Sequence, residues 1–464
     1  MVGQWVTRKE GMPYVLGIHL GATATTAAVV RREGSRWAAA VPVPLGPGAP
    51  GVPTVLCRVQ DGSFVAGEDA RRQELGYPAW TVRGFTRRVG DDLPMLVGND
   101  FVSAQRLIAV LVEWVADAVA HRQGHPPEHI AIAHSASWGP HRSLLVHQEL
   151  ARLGIGEVTM VPEPVAVALD YASKQTVEER SALVVGSVGG SGFDATVLRR
   201  RAPAFEVVGP PLETDHPGGQ DLDDAVFDLV RAELAGELAG VDPADPRGRA
   251  LLAQVRQECI RAKEALSHQP GHLLRLDLPG GRTEFALSRS RFEKLVRPHL
   301  ERVPELLLQA VQSASLAADD LDAVVLAGGT ARVPLLRRLV AERLERTPEV
   351  DVVPEMAAAS GAARAAVQVL STDRDQAAAG ETSVLVRIEG SDEQDSEPER
   401  ELPAAPRPPV EVAPLPIEPP DEERARRIKI IKLVVAALLI ALGVVLTIIN
   451  PGDPLGGVFG ALRS

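Results

Sequence analysis

The stretch YVLGIHLGATATTAAVV, Tyr14 to Val30, decides how the rest of the chain is read. An apolar run enters a glycine-containing turn, and a second apolar run leaves it. The pattern predicts strand, tight turn, strand, with backbone N–H groups at the bend able to approach phosphate oxygens. At the turn's entrance, where a hard metal ion wants a carboxylate, the chain has His19. Either the turn still serves a nucleotide or it has lost that chemistry.

Outward from this stretch, short Val/Ile/Leu/Ala runs alternate with amphipathic segments as far as about Leu370. HIAIAH, SALVVGS and DAVVLAGG have strand character, whereas LVEWVADAVAHR and LLRRLVAERL have helical spacing. This alternation is that of an α/β protein. A chain of 464 residues is long enough for several domains and a large core. Its net charge of −12 and the lack of a basic aromatic patch argue against a nucleic-acid partner. Cys57 and Cys259 stand far apart in apolar contexts and read as small core residues. The N-terminal residues 1–13 lack an apolar h-region, so no secretory signal is expected there, only a disordered start.

Composition changes after the globular region 14–370. Residues 371–427 are acidic and then proline-dense, as in PAAPRPPVEVAPLPIEPP, and are expected to form an extended, disordered tether. Residues 428–449 follow as a candidate transmembrane helix, uncharged from Leu433 to Ile449 and with a Lys432 that can snorkel. Arg424, Arg426, Arg427 and Lys429 precede or open it, which predicts a cytoplasmic N-terminal domain and a short external tail, 450–464. The expected location is the inner (plasma) membrane, with a single pass.

Six pieces of the globular region belong together. They are GIHLGATAT; VPEPVAVALDYA; VVGSVGGSGFDATVL; GGQDLDDAVFDLV; ECIRAKEALS; and LAGGTARVPLL with VPEMAAASGAARAAV after it. Two glycine turns, one early and one midway, point to two similar halves clasping a nucleotide. A late glycine pair before a helix adds a further place for a phosphate or nucleoside.

The order and wording of these pieces resemble the nucleotide-binding domain of the heat-shock protein 70 chaperones, in the actin-like ATPase superfamily. The resemblance covers about residues 14–370. It implies a two-lobed, ribonuclease-H-like α/β fold with ATP or ADP at the base of the cleft. It implies a first phosphate loop at Gly21, Ala22 and Thr23, and a second at Gly189, Gly190, Ser191 and Gly192. Gly218 and Gly219 would lie over the phosphates, Lys263 and Ser267 would face the adenosine, and Gly328, Gly329 and Arg332 would flank the nucleotide. Glu355 stands where the family has an Asp near the adenosine.

The chain departs from the family where the chemistry is done. His19 and Ser187 replace the two Asp residues near the metal, and Thr86, with Arg87 beside it, replaces the hydrolytic Lys. Ala22 and Gly192 replace phosphate-loop threonines, and His134 replaces a relay Pro. Two acids are retained, Glu163 and Asp194, the latter a weak metal ligand through water. Mg²⁺ keeps several waters that need carboxylate acceptors, so its binding is expected to weaken. Phosphoryl transfer depends on positioning and charge, so hydrolysis is expected to suffer more than binding. Six of the eleven histidines fall between His121 and His147, at a spacing that fits no zinc pattern, and read as loop and surface residues.

The function expected from these residues is that of a membrane-anchored, ATP-binding switch or scaffold with degenerate or very slow hydrolysis. It would act on an unknown protein partner at the cytoplasmic membrane face. Two other readings stand beside it: a genuine ATPase with chaperone activity, and an actin-like structural protein organising the cell envelope.

Overall fold

In the computed structural model, residues 12–46 and 50–379 are described. The expected membrane helix 428–449, the tail 450–464 and most of the tether lie outside the described residues. Among the described residues no helix is long and apolar enough to cross a membrane.

Two sheets are built on one plan. In the first, strand Tyr14–Leu20 pairs antiparallel with Ala24–Glu33 across the Gly21–Thr23 turn. Its other edge pairs in parallel with His129–His134, which pairs in parallel with Val158–Pro162. In the second, Ala182–Val188 pairs antiparallel with Phe193–Arg201 across the Gly189–Gly192 turn. Its other edge pairs in parallel with Ala323–Ala327, which pairs in parallel with Glu349–Val350. This is the repeated half expected from the two glycine turns. In each half the turn lies at the same end of the central strand.

Local chemistry sets the element ends. Helix Ala104–Gln123 begins where the Ser103 hydroxyl accepts from the Arg106 N–H, and stops at Gly124, whose φ of 84° is left-handed. Helix Glu163–Ala172 has a proline early in its first turn and places Glu163 at its positive end. Insertions enlarge each half. The first carries a three-stranded sheet, Val55–Arg58, Phe64–Ala66 and Thr81–Arg83. The second carries helix Pro246–Leu266 and the hairpin Gly271–Leu278 with Gly281–Ser288.

The halves share an alanine-rich layer. Helix Glu163–Ala172 and helix Ala357–Ala379 bring Ala166, Ala168, Ala358, Ala362 and Ala366 into one core with Val15 and Ala131 of the first sheet and Leu183 and Val325 of the second. Small side chains allow the helices to approach closely. A Cβ added at Gly361 would come 1.6 Å from the Ala166 carbonyl oxygen.

Two sequence expectations shift, and a third holds. The last helix runs to Ala379, so the tether does not begin at Ser371. STDRDQAAA contains no Gly or Pro, and Thr372 donates back to the Gln368 carbonyl, so polarity alone does not end the helix. At the other end, the Pro13 carbonyl accepts from the Arg32 N–H and the Met12 carbonyl meets His125 Nε2, so Met12 and Pro13 belong to the folded domain. Cys57 and Cys259 are buried free thiols, as a core role requires, and burial pushes the Cys259 thiol up to about 12.

Candidate nucleotide site

The two glycine turns meet at one cavity of about 440 Å³. They approach so closely that a Cβ at Gly190 would lie 2.4 Å from Thr23 Oγ1. The N–H groups of Gly21, Ala22 and Thr23, and of Gly190, Ser191 and Gly192, have no acceptor among the described residues. Gly189 closes its own turn by donating to the Gly192 carbonyl at 2.9 Å. Six backbone amides without acceptors among the described residues line one cavity, the kind of lining that can cradle an anion.

Most of the residues expected at the site do line this cavity. They are His19, Gly21, Ala22, Thr23, Thr86, Glu163, Ser187, Gly189 to Gly192, Asp194, Gly328, Gly329 and Glu355. Five do not. Gly218 and Gly219, expected over the phosphates, lie behind the second turn instead. Gly218 N–H is held by the Asp221 carboxylate at 2.7 Å, capping its own helix, and Gly219 N–H by the Gly189 carbonyl at 2.9 Å, buttressing the turn, so neither amide is free. Lys263 supports the same place from behind, donating to the Gly219 carbonyl and pairing with Asp223 at 2.8 Å. Ser267 caps the end of helix Pro246–Leu266, away from the cavity lining. Arg332 is held by Glu355 in a two-pronged ion pair at 2.9 and 2.7 Å, and of the two only Glu355 lines the cavity.

At the floor, His19 Nε2 stands 3.1 Å from Glu163 Oε2. The pair is close enough for charge attraction but too poorly aligned for a hydrogen bond, and both buried ring nitrogens lack a hydrogen-bond partner among the described residues. Burial works to raise the pKa of Glu163. The His19 imidazole, the Ser187 hydroxyl and His134 outweigh it and hold the carboxyl below its ordinary value. Asp194 goes the other way. Burial first, then the Glu163 and Glu213 carboxylates, raise it to about 8 against the pull of Arg87. The two floor acids are therefore shifted in opposite directions, Glu163 toward its ionised form and Asp194 toward its protonated form.

Asp194 makes stability depend on pH. Its folded pKa lies above the unfolded value, so the folded state binds the extra proton. The associated stability is complete below about pH 4 and is lost as pH rises to about 8. Asp194→Asn should therefore gain stability over the parent as pH rises from 5 to 9, by a few kcal/mol at the alkaline end. Thermal melts across that range check it, and a gap that does not widen would contradict the assignment.

Several cavity residues carry no signal in the local sequence. Arg87, on the short 3-10 helix Phe85–Arg88, donates to the Ser191 carbonyl at 2.9 Å and pairs with Asp215, joining the first half to the second across the mouth. Trp138 and Arg142 line the same wall, and Trp138 stacks on the buried His134 with ring centroids 5.1 Å apart. A pairing 128 residues apart leaves no trace in spacing. Thr86 is buried with its hydroxyl unpartnered among the described residues, and supplies no charge where the resemblance expects a Lys.

The cavity lining holds five carboxyl groups, those of Glu163, Asp194, Glu213, Asp215 and Glu355, beside Arg87 and Arg142. Mg²⁺ needs oxygen ligands or acceptors for its waters. At the floor Glu163 faces the His19 imidazole, and burial pushes Asp194 toward its protonated form. Among the described residues no group of three or more His, Cys, Asp or Glu has metal-holding geometry.

A family model described as Hsp70 protein matches residues 148–381. The chaperone protein DnaK of Thermotoga petrophila is 26% identical over 386 residues, covering 82% of this chain and 63% of the relative. DnaK of Elusimicrobium minutum is 27% identical over 361 residues, covering 76% of this chain and 57% of the relative. DnaK of Picrophilus torridus is 27% identical over 360 residues, with the same coverage of 76% and 57%. The chain thus spans less than two thirds of the length of these relatives.

Proposed function

The chain belongs to the Hsp70 family, and from that premise we propose that it is a nucleotide-binding switch or scaffold with very slow or absent ATP hydrolysis. One observation carries the reading. Six residues whose backbone donors have no acceptor among the described residues line a single cavity, and beside them stand His19, Ser187 and Thr86. Main-chain donors bind phosphate whatever the neighbouring side chains are. Hydrolysis needs an oriented water and stabilised charge, and loss of one positioned acid or base group costs roughly 10²–10⁴ in rate. Such losses do not simply multiply.

In this reading ATP or ADP draws the two halves together, and the closed form is recognised by a partner protein. Metal binding is weakened rather than abolished. The apolar segment 428–449 with its preceding cations supports an anchor in the inner membrane and a cytoplasmic nucleotide domain. Quantifying ADP formation by the purified 464-residue chain under saturating ATP tests the catalytic half. The reading expects turnover far below roughly one per hour, the scale left by a loss of several positioned groups. Turnover abolished by Glu163→Ala or Asp194→Ala would favour the genuine ATPase instead. Fractionation of cells tests the anchor: the full chain should pellet with membranes and a chain ending at Arg427 should not. Nothing in the described residues favours the filament reading.

A further inference from the structure

A second cavity, of about 260 Å³, lies at the strand ends away from the glycine turns. Val30 stands late in strand Ala24–Glu33, and Trp37 on the short strand paired with its end. Arg200 stands near the end of strand Phe193–Arg201. Counted along the strands, these positions are roughly 20–25 Å from the turns. Leu169 and Arg364 come from the two helices of the shared layer. The cavity therefore touches both halves and the helices between them.

Its lining holds two guanidinium groups and no carboxyl group. Arg364 is only 25% exposed, and its Nε is buried with no hydrogen-bond partner among the described residues. Asp170 stands 3.8 Å from that nitrogen, too far for a hydrogen bond, and gives its other oxygen to Lys174 at 2.6 Å. Burial outweighs Asp170 and lowers the pKa of the guanidinium below its ordinary value, so this cation is under-compensated where it stands. Arg200 donates from Nη1 to the Pro203 and Ala204 carbonyls and lies over the Phe205 ring at 4.8 Å. Those contacts fix its plane and leave Nε and Nη2 without a partner among the described residues. Val30, Trp37, Leu169 and Val367 make the rest of the wall largely apolar.

We propose that this cavity binds a small monocarboxylate with an apolar body, its acid group held by Arg200 and Arg364 and its hydrocarbon against Trp37, Leu169 and Val367. The planar fork of a guanidinium matches a carboxylate in shape and charge. Apolar walls reward a hydrocarbon body and penalise the extra hydrated oxygens of a phosphate. The volume is below the roughly 300–1,000 Å³ of pockets for drug-sized ligands, so the body is short. The proposal stands apart from the nucleotide reading and shares no lining residue with that cleft.

The test is ligand-observed NMR on the 464-residue chain with phenylacetate and hexanoate as probes. Each should saturate one site with a dissociation constant of about 1 mM or tighter. Phenylacetamide, the same body without the charge, should bind at least roughly tenfold more weakly. Arg364→Gln and Arg200→Gln should each cost phenylacetate roughly tenfold or more, and thermal melts show whether each variant is folded. Where Arg364→Gln fails to fold, Arg200→Gln decides. No saturation by either acid up to about 20 mM would overturn the proposal. So would equal binding of phenylacetamide, or unchanged affinity in either folded variant. Inorganic phosphate that displaces phenylacetate more readily than hexanoate does would overturn the carboxylate class.

Discussion

Gly361→Ala should destabilise the protein by several kcal/mol, seen as a fall in Tm of roughly 5–10 °C or as insoluble expression. Helix propensity alone predicts the opposite. Gly inside a helix is about 0.5–1 kcal/mol worse than Ala, so at an indifferent site the substitution stabilises. Here the added methyl would lie 1.6 Å from the Ala166 carbonyl oxygen, across the shared layer where helix Ala357–Ala379 meets helix Glu163–Ala172. The obstacle is backbone, so no rotamer change relieves it. The helices must part, and the alanine core between the sheets must open with them. A gain in Tm would mean that the two helices are not packed this closely.

Gly190→Val should weaken ATP binding by at least about 100-fold, or about 2.7 kcal/mol, with little loss of Tm. Gly190 is partly exposed in the second turn, and its absent side chain is where Thr23 of the first turn comes to rest. A Cβ there would meet Thr23 Oγ1 at 2.4 Å and Thr23 Cγ2 at 2.9 Å. Larger groups hold the turns apart, and the six N–H groups no longer converge on one set of phosphate oxygens. The obstacle is a side chain, so a second substitution can remove it. Gly190→Ala combined with Thr23→Gly should recover much of the affinity that Gly190→Ala loses. Equal losses in the single and double variants would place the defect within the second turn, not between the two.

These two glycines mark the boundary of what the sequence makes legible. The strand–turn–strand units around Gly21 and Gly190 are local, and their apolar runs and turn residues announce both the sheets and the cradle. Asp194 is recognisable for the same reason, since it stands just after the second turn, whereas Glu163 opens a helix after strand Val158–Pro162 and is read from the VPEP stretch alone. The alanine-rich run after Glu355 is readable as a helix, but not as the layer between two sheets, because nothing local says what a small side chain packs against. Arg87 is visible as a charge beside Thr86. Its span to Ser191 and Asp215 depends on the closure of two halves far apart in sequence. Gly218 and Gly219 go astray for a related reason. A glycine pair before a helix offers free amides in principle, but here Asp221 and Gly189 have already taken them. The opposite directions of Glu163 and Asp194 are likewise set by burial and by His19, and spacing carries neither.

The central claim is that a backbone cradle outlives the chemistry once placed beside it. The most direct measurement follows ATP binding and ADP formation on the same sample of the 464-residue chain, at ATP well above the binding constant. The account predicts one saturable site, weakened at least about 100-fold by Gly190→Val, with bound nucleotide recovered as ATP after an hour. Rapid conversion to ADP, or no binding at all, would contradict it.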